Sequence, residues 1–182
     1  MAQGAITIRP AHSESDLAAI ANLDGSFSTG TIYRIAREQL AFRLVPESTE
    51  PPLVKVYSWP ELGLHDGLLV ACAGDEVVGF AELQFDTWNN RARIAHLYVS
   101  GSHRGHGIGR FLITAIDLRA RAEPGMRCLW LETQNLNYPA VQFYLRCGFR
   151  LCGLDETLYE PDARGILPGE VALYFARDLP AD

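Results

Sequence analysis

The sequence is poor in basic residues and has no long hydrophobic run, and each shortage excludes a class of protein. It contains 16 lysine and arginine residues against 22 acidic ones, which gives a formal charge of -6. An acidic surface repels nucleic acid and anionic lipid and favours a cationic partner. No uninterrupted apolar stretch approaches the length that crosses a bilayer. We therefore expect neither a nucleic-acid partner nor a membrane.

Cysteine is also scarce. The four cysteines form no C-x-x-C pair, and each lies in an apolar run where a free thiol packs as a small hydrophobic side chain: Cys72, Cys128, Cys147 and Cys152. This pattern predicts no metal site.

The 182 residues suffice for one well-buried core, so we predict a single domain over residues 1–182. The N-terminus lacks a basic segment followed by an apolar block, which predicts a cytoplasmic protein. Nothing in the sequence distinguishes a monomer from a homodimer.

Periodicity indicates an α+β or mixed α/β domain whose sheet is covered by helices. Residues 31–45 fit either a helix or a pair of strands, and the prolines between residues 46 and 60 predict that residues 47–66 are mostly loop, with at most an edge strand over 53–57. Strands are predicted at 6–9, 68–73, 77–85, 91–99, 127–133, 149–154 and 171–175, and helices at 13–22, 107–121 and 139–147.

A glycine-rich turn joins the strand at 91–99 to the helix that follows it. It reads R-x-x-G-x-G from Arg104 to Gly109. Such a turn places main-chain N–H groups at the positive end of a helix dipole, where a phosphate can bind. The spacing matches neither a Walker loop nor a dinucleotide fingerprint. The hexapeptide alone is equally typical of a plain turn with solvated arginines.

A second motif follows about thirty residues later, N-x-x-A-x-x-F-Y-x-x-x-G-F from Asn137 to Phe149. In this order and spacing the two motifs resemble the GNAT superfamily of acetyl-CoA-dependent N-acetyltransferases, over roughly residues 68–154. The resemblance implies a mostly antiparallel, twisted sheet of about six to seven strands flanked by helices. It also implies splayed fourth and fifth strands, here 91–99 and 127–133, and favours a strand pair over 31–45.

Within the superfamily the chain most resembles the streptothricin acetyltransferases. One departure concerns the fourth strand, where acidic residues of relatives are replaced by Ala95 and His96. This shifts the expected role of the base towards Glu132. The resemblance rests on Trp88-Asn89, Leu131–Gln134, Cys147–Phe149, Asp155–Tyr159 and Ala172–Tyr174.

The resemblance also implies an acetyl-CoA site. The end of the strand at 91–99 would pair with the pantetheine arm of the cofactor and supply N–H groups to the oxyanion. The glycine turn would hold the pyrophosphate. Asn137 fits either cofactor binding or capping of its helix. The implied cofactor residues are Leu97, Tyr98, Val99, Arg104, Gly105, His106, Gly107, Ile108, Gly109, Arg110, Asn137 and Tyr144.

Two side chains are the candidates for proton transfer. Alternation places Glu132 on one strand face with Cys128 and Trp130, where burial would raise the pKa of a carboxyl towards that of a useful base. A surface carboxylate is the competing interpretation. Tyr144 matches the general acid of the family, since a phenol can protonate a thiolate; otherwise it is a core aromatic. Glu132 would act directly or through water, and His96 is a further candidate base.

These expectations predict acetyl transfer from acetyl-CoA to a primary amine by direct attack in a ternary complex. The acidic balance favours a small cationic molecule, such as the β-lysyl group of streptothricin. Polyamine acetylation, protein N-terminal acetylation and a non-catalytic acetyl-CoA sensor remain alternatives. The carboxylates that could hold the cation are Glu82, Asp155, Glu156 and Glu160.

Overall fold

The computed structural model describes residues 5–57, 62–161, 163 and 165–180. In these residues nine strands and three α-helices follow one another. The strands are β1 (Ile6–Pro10), β2 (Ser26–Glu38), β3 (Ala41–Val56), β4 (Leu68–Ala73), β5 (Glu76–Asp86), β6 (Arg91–Val99), β7 (Cys128–Gln134), β8 (Arg150–Asp155) and β9 (Ala172–Asp178). The helices are α1 (Glu14–Ala21), α2 (Ile108–Ala122) and α3 (Tyr138–Arg146), with a short 3₁₀ turn at Gly101–His103 before α2.

The strands form two sheets. A seven-stranded sheet has the order β1-β4-β5-β6-β7-β9-β8, and β2 pairs with β3 in a separate two-stranded sheet. The pairs β1/β4, β4/β5, β5/β6 and β8/β9 are antiparallel, whereas β6 and β7 are parallel. This arrangement confirms the predicted mixed α/β fold with a mostly antiparallel sheet. No helix among the described residues is long and apolar enough to cross a membrane.

The chain forms two compact units. Unit 1 comprises residues 1–25, 58–131 and 177–182, and unit 2 comprises residues 26–57 and 132–176. The single domain over residues 1–182 stays a prediction.

Unit 1 is built around buried side chains of β4 and β5. Leu68, Val70 and Phe80 are fully buried and pack with Ile20 of α1. Gly79 lets β5 approach β6 closely, since a Cβ atom at this position would lie 2.6 Å from the carbonyl oxygen of Tyr98. Only glycine fits this contact without a shift of the backbone.

Unit 2 contains the long hairpin of β2 and β3. The strand pair resolves the ambiguity over residues 31–45, with Gln39 at a positive φ of 53° in the turn. The prediction of a loop over 47–66 is wrong for its first part, because β3 continues to Val56. Pro51 and Pro52 are tolerated because they lie in a register shift of the hairpin, where neither has a register partner in β2 and a missing N–H costs no ladder bond. Residues 58–61 of that prediction lie outside the described residues.

Helix α3 begins and ends at the predicted signals. The side chain of Asn137 accepts a hydrogen bond from the N–H of Ala140 at 3.2 Å, which caps the helix. Gly148 follows the last turn with φ at 83°, a conformation that favours glycine. The Asn-to-Gly spacing therefore fixes the length of the helix.

Candidate active site

The glycine turn of unit 1 is an exposed loop with an open helix start. Gly105 and Gly107 have φ angles of 81° and 83°, and Gly107 is the N-cap of α2 without a side-chain acceptor. The first N–H groups of a helix have no acceptor within the helix. A Cβ atom on either glycine would meet nothing within 4 Å, so there is free space above the loop. Free space, N–H groups and two arginines fit a bound pyrophosphate.

Three of the predicted cofactor residues at this turn, His106, Ile108 and Arg110, differ in the exposure of their side chains. The side chain of Ile108 is buried, so only its main chain is available to a ligand. His106 is exposed, and its Nδ1 lies 3.3 Å from the carbonyl oxygen of His103. Arg110 is exposed on the first turn of α2. A ligand at this helix start would therefore meet the backbone, an exposed imidazole and an exposed guanidinium.

Arg104 is tied to the end of β6. Its Nε donates to the carbonyl oxygen of Val99 at 2.9 Å, and its Nη2 donates to the hydroxyl of Tyr98 at 2.6 Å. The guanidinium carbon lies 5.0 Å from the centre of the Tyr98 ring, which adds a cation–π contact. From the sequence we expect Arg104 to contribute positive charge to a bound phosphate. In the structure its side chain also holds the end of β6 in place before the loop.

Strand β6 carries a bulge just before the predicted pantetheine-binding residues. Glu82 faces His96 and Leu83 faces Ile94, so Ala95 is the extra residue in β6. After the bulge, Leu97, Tyr98 and Val99 stay in register with β5. The parallel register with β7 covers residues 91–94 of β6 against 128–131 of β7. The splay of these two strands beyond this register stays a prediction.

The alternative base His96 lies beside a buried carboxylate. Its Nε2 is 3.6 Å from Glu82 Oε2, while Glu82 Oε1 accepts from Gln84 at 2.7 Å and contacts His65 Nε2 at 3.1 Å. Burial lowers the pKa of His96, and the charge of Glu82 opposes this effect. Glu82 is only 6% exposed, so it is poorly placed to hold a substrate cation.

Glu132 belongs to unit 2 and is partly buried near the end of β7. Alternation along the strand holds as predicted, because Leu129, Leu131 and Thr133 are buried while Trp130 and Glu132 share the less buried face. Burial raises the pKa of the Glu132 carboxyl, and a hydrogen bond donated by the Tyr159 hydroxyl opposes the rise. A carboxyl with a raised pKa suits proton abstraction near neutral pH.

Tyr144 lies in the aromatic core of unit 2. Its ring packs edge-on against Phe143 and Phe149, with centroids 5.4 and 5.8 Å apart, and lies 6.4 Å from Phe175. Burial is the main cause that raises the pKa of its phenol. The ring is thus held rigidly, whereas its role as a general acid stays a prediction.

A buried ion pair supports the same unit. Lys55 is the one lysine of the sequence, and its side chain is 5% exposed in an ion pair with fully buried Glu170. Glu170 also accepts a hydrogen bond from the N–H of Leu167 at 2.9 Å. The charge of Glu170 raises the pKa of Glu132, and that of Lys55 lowers it. The pair therefore contributes to the electrostatic environment of the predicted base.

Three further acidic candidates differ in their contacts. The carboxylate of Asp155 accepts bonds from the N–H and hydroxyl of Thr157, at 2.8 and 2.7 Å, which lower its pKa. Glu156 forms an ion pair with Arg37, and Glu160 is exposed. Among the described residues no cluster of histidine, cysteine, aspartate and glutamate suits a metal ion.

The hydrogen-bonding partners of Glu132 could not be predicted from the sequence. Tyr159 stands in the segment that resembles the streptothricin acetyltransferases, yet no periodicity relates it to β7. Tyr57 lies just after β3, in a stretch predicted as mostly loop. It donates to Gln134 and accepts from the amide of Asn137 at 3.2 Å. Asn137 therefore caps its helix and also contacts this cluster.

Comparison with known proteins gives the same family for most of the chain. Residues 31–149 match the Acetyltransferase (GNAT) family. The streptothricin acetyltransferase of Streptomyces lavendulae is 39% identical over 91% of each chain. The crystal structure of nourseothricin acetyltransferase superposes with a TM-score of 0.84 at 36% identity, and it covers 96% of this chain and 99% of its own.

A Bacillus anthracis structure solved in complex with acetyl coenzyme A superposes with a TM-score of 0.78 at 27% identity, over 96% of this chain and 99% of its own. These findings confirm the resemblance, the enzyme class and the acetyl donor that the two motifs predict. The chain belongs to the Acetyltransferase (GNAT) family and is an acetyl-CoA-dependent N-acetyltransferase.

Proposed function

We propose that this enzyme acetylates a primary amine of a streptothricin-type antibiotic, and thereby confers resistance to it. The observation that carries this proposal is the likeness, over 91% of both chains, to the streptothricin acetyltransferase of Streptomyces lavendulae. A second streptothricin acetyltransferase, from Escherichia coli, is 40% identical over 58% of this chain. The formal charge of -6 suits a small cationic acceptor.

Acetyl transfer to an amine requires three events at the protein. The ammonium loses a proton, negative charge develops on the acetyl oxygen, and the thiolate that leaves gains a proton. Direct attack in a ternary complex needs all three groups in place at once. Acetyl-CoA supplies the activated acetyl group.

Glu132 takes the amine proton in this proposal, directly or through a water molecule. Its partial burial and raised pKa support the assignment, because a raised pKa makes the carboxylate a stronger base. His96 is the weaker candidate, since burial lowers the pKa of its imidazole and it already neighbours Glu82.

Tyr144 gives a proton to sulfur, and the main chain of Leu97 to Val99 binds the donor and the developing oxyanion. The raised pKa of Tyr144 keeps its phenol protonated at neutral pH, as a general acid requires. The N–H groups of Gly105 to Arg110, with the charges of Arg104 and Arg110, hold the pyrophosphate. These assignments rest on the open loop and on the positions that match the motifs of the family.

The remaining parts of the proposal concern partners and location. We infer a cytoplasmic monomer or homodimer without nucleic-acid or membrane partners. Size-exclusion chromatography with light scattering measures the oligomeric state, and fractionation of the source cells measures the location.

The substrate is tested with purified protein, acetyl-CoA and three classes of amine. We expect thiol release and an acetylated product with streptothricin, much less with spermidine, and none with a peptide that carries a free N-terminus. Cells that express the chain should grow in streptothricin, and cells that express Glu132→Gln should not. If the enzyme prefers the polyamine or the peptide, streptothricin is not its acceptor and the preferred amine takes its place in the proposal. Tight binding of acetyl-CoA without turnover of any amine would indicate a sensor.

A further inference from the structure

A row of four hydrogen bonds runs through unit 2 and ends on the predicted base. The Asn137 amide donates to the Tyr57 hydroxyl at 3.2 Å, and Tyr57 donates to Gln134 Oε1. The Gln134 amide donates to the Tyr159 hydroxyl at 3.1 Å, and Tyr159 donates to Glu132 Oε1. We call these five residues the Glu132 hydrogen-bond chain. Every bond in it donates towards the carboxylate.

This direction is set by the cap of α3. Asn137 Oδ1 accepts from the N–H of Ala140, so the amide nitrogen of Asn137 points at Tyr57. A hydroxyl that accepts from an amide N–H turns its own proton to another acceptor, here Gln134 Oε1. The oriented amide of Gln134 then presents its N–H to Tyr159. The proton of Tyr159 is thereby aimed at Glu132.

The chain holds the base rather than carrying its proton. Amide nitrogens stand at two of the donor positions, and an amide neither loses nor gains a proton readily under the conditions in which a carboxylate titrates. Fixed donors that stabilise the charged form of a carboxylate favour ionisation and restrict its rotation. Such an arrangement suits a base that must start each turnover ionised and in one orientation.

Charged and titratable groups of unit 2 surround Glu132 and, together with Tyr159, determine how readily its carboxyl ionises. Glu170 and the buried surroundings disfavour its ionised form, whereas Lys55 and the bond from Tyr159 favour it. The phenols are protonated at neutral pH because burial raises the pKa of each: Tyr57, Tyr144, Tyr159 and Tyr174. Tyr159 therefore remains a donor throughout the range in which the carboxyl titrates.

We propose that Tyr159, oriented by Asn137, Tyr57 and Gln134, is a positioning residue that fixes the Glu132 carboxylate for proton abstraction from the acceptor amine. This inference rests on the proposed role of Glu132 as base. It adds that a residue 27 positions away determines when the base is ionised and where it points. Tyr159 itself exchanges no proton with the substrate.

The test is the pH dependence of kcat/KM for the acceptor amine in wild-type enzyme and in Tyr159→Phe. Loss of the donor removes an interaction that lowers the pKa of Glu132, so the acid limb should move to higher pH by about one to two units. The KM for acetyl-CoA should stay unchanged. Because both enzymes use the same amine, titration of the substrate cannot produce the difference.

Tyr33→Phe is the matched control. Tyr33 lies in the same unit and its hydroxyl accepts from Gln142 at 2.7 Å, outside the Glu132 hydrogen-bond chain. This variant should keep the wild-type limb. If Tyr159→Phe does not fold, Tyr57→Phe removes a more distant link and should move the limb in the same direction by a smaller amount.

Glu132→Gln separates failure of this inference from failure of the proposed function. If this variant loses activity and its acid limb, but folded Tyr159→Phe keeps the wild-type limb, Tyr159 has no positioning role and the base assignment stands. If Glu132→Gln keeps both activity and limb, the base assignment itself is wrong. Adding Tyr159→Phe to Glu132→Gln should cost no further rate, since the two act as one unit.

Discussion

The two compact units hold two candidate groups of opposite construction, one for ligand binding and one for proton transfer. In unit 1 the candidate pyrophosphate site is an exposed loop made of main chain, with two glycines at positive φ and free space above them. In unit 2 the candidate base lies among partly buried side chains joined by hydrogen bonds. An open cradle suits a ligand that must enter and leave, whereas a fixed carboxylate suits a chemical step. Variants in the two units should therefore alter different kinetic constants.

Tyr144→Phe should have the largest effect on rate. The substitution keeps the ring that packs on Phe149 and removes only the hydroxyl. Loss of a positioned acid typically lowers the rate by about 10² to 10⁴-fold, and the fall should be in kcat at saturating substrates. Tyr138→Phe, on the same helix, serves as the control and should change kcat little. If Tyr144→Phe keeps the full kcat, Tyr144 is not the general acid and serves only as an aromatic side chain of the core.

Lys55→Met should have the largest effect on stability. It leaves Glu170 buried without its ion-pair partner, and breaking such a pair by removal of one side costs about 3–5 kcal/mol in the free energy of unfolding. Urea denaturation measures the change. The double variant Lys55→Met/Glu170→Leu should recover much of the loss, because neither charge is then buried. A single variant as stable as wild type would contradict the buried placement of the pair.

Gly107→Ala should weaken acetyl-CoA binding with little effect on the pH profile. An L-residue in the left-handed conformation costs about 1–2 kcal/mol, so the loop would shift or strain. Titration calorimetry with coenzyme A should give an affinity about tenfold lower. Gly101→Ala is the matched control, since Gly101 has no positive φ and a Cβ atom there meets open space. Equal affinity in both variants would argue against the loop as the cradle.

Two substitutions of Asn137, to aspartate and to alanine, should have the smallest effects, and together they separate helix capping from the orientation of Tyr57. Aspartate caps a helix about as well as asparagine, whereas alanine costs about 1 kcal/mol of stability. Both variants lose the N–H that orients Tyr57. We expect Asn137→Ala to lower the thermal midpoint and Asn137→Asp to preserve it, while both move the acid limb of kcat/KM to higher pH. An unmoved limb in both would restrict Asn137 to capping.

The contrast between the loop of unit 1 and the hydrogen-bonded side chains of unit 2 also explains which features could be predicted from the sequence. The candidate pyrophosphate loop lies within one continuous segment, so glycine spacing after a strand predicts the turn, and the second motif predicts what the turn binds. Alternation along β7 likewise sufficed to place Glu132 on a half-buried face. The partners of Glu132 and Gln134 are separated from them by 27 and 77 residues, and no local pattern relates such positions.

The misassigned stretch shows a second limit. Prolines at 46, 51 and 52 are typical of a loop, but β3 passes through them, with Pro51 and Pro52 in a register shift of the hairpin. Prolines therefore do not exclude a strand where a register shift leaves them without a partner in the ladder.

The most direct test of this account is the pH dependence of kcat/KM in Glu132→Gln, measured beside wild type and His96→Ala with streptothricin as acceptor. Because burial raises the pKa of Glu132, wild-type activity should fall as the pH drops through that raised value. Glu132→Gln should lose about 10² to 10⁴-fold in kcat/KM together with the acid limb, while His96→Ala keeps the limb. Activity of Glu132→Gln within about threefold of wild type, with the limb intact, would contradict the central role assigned to Glu132.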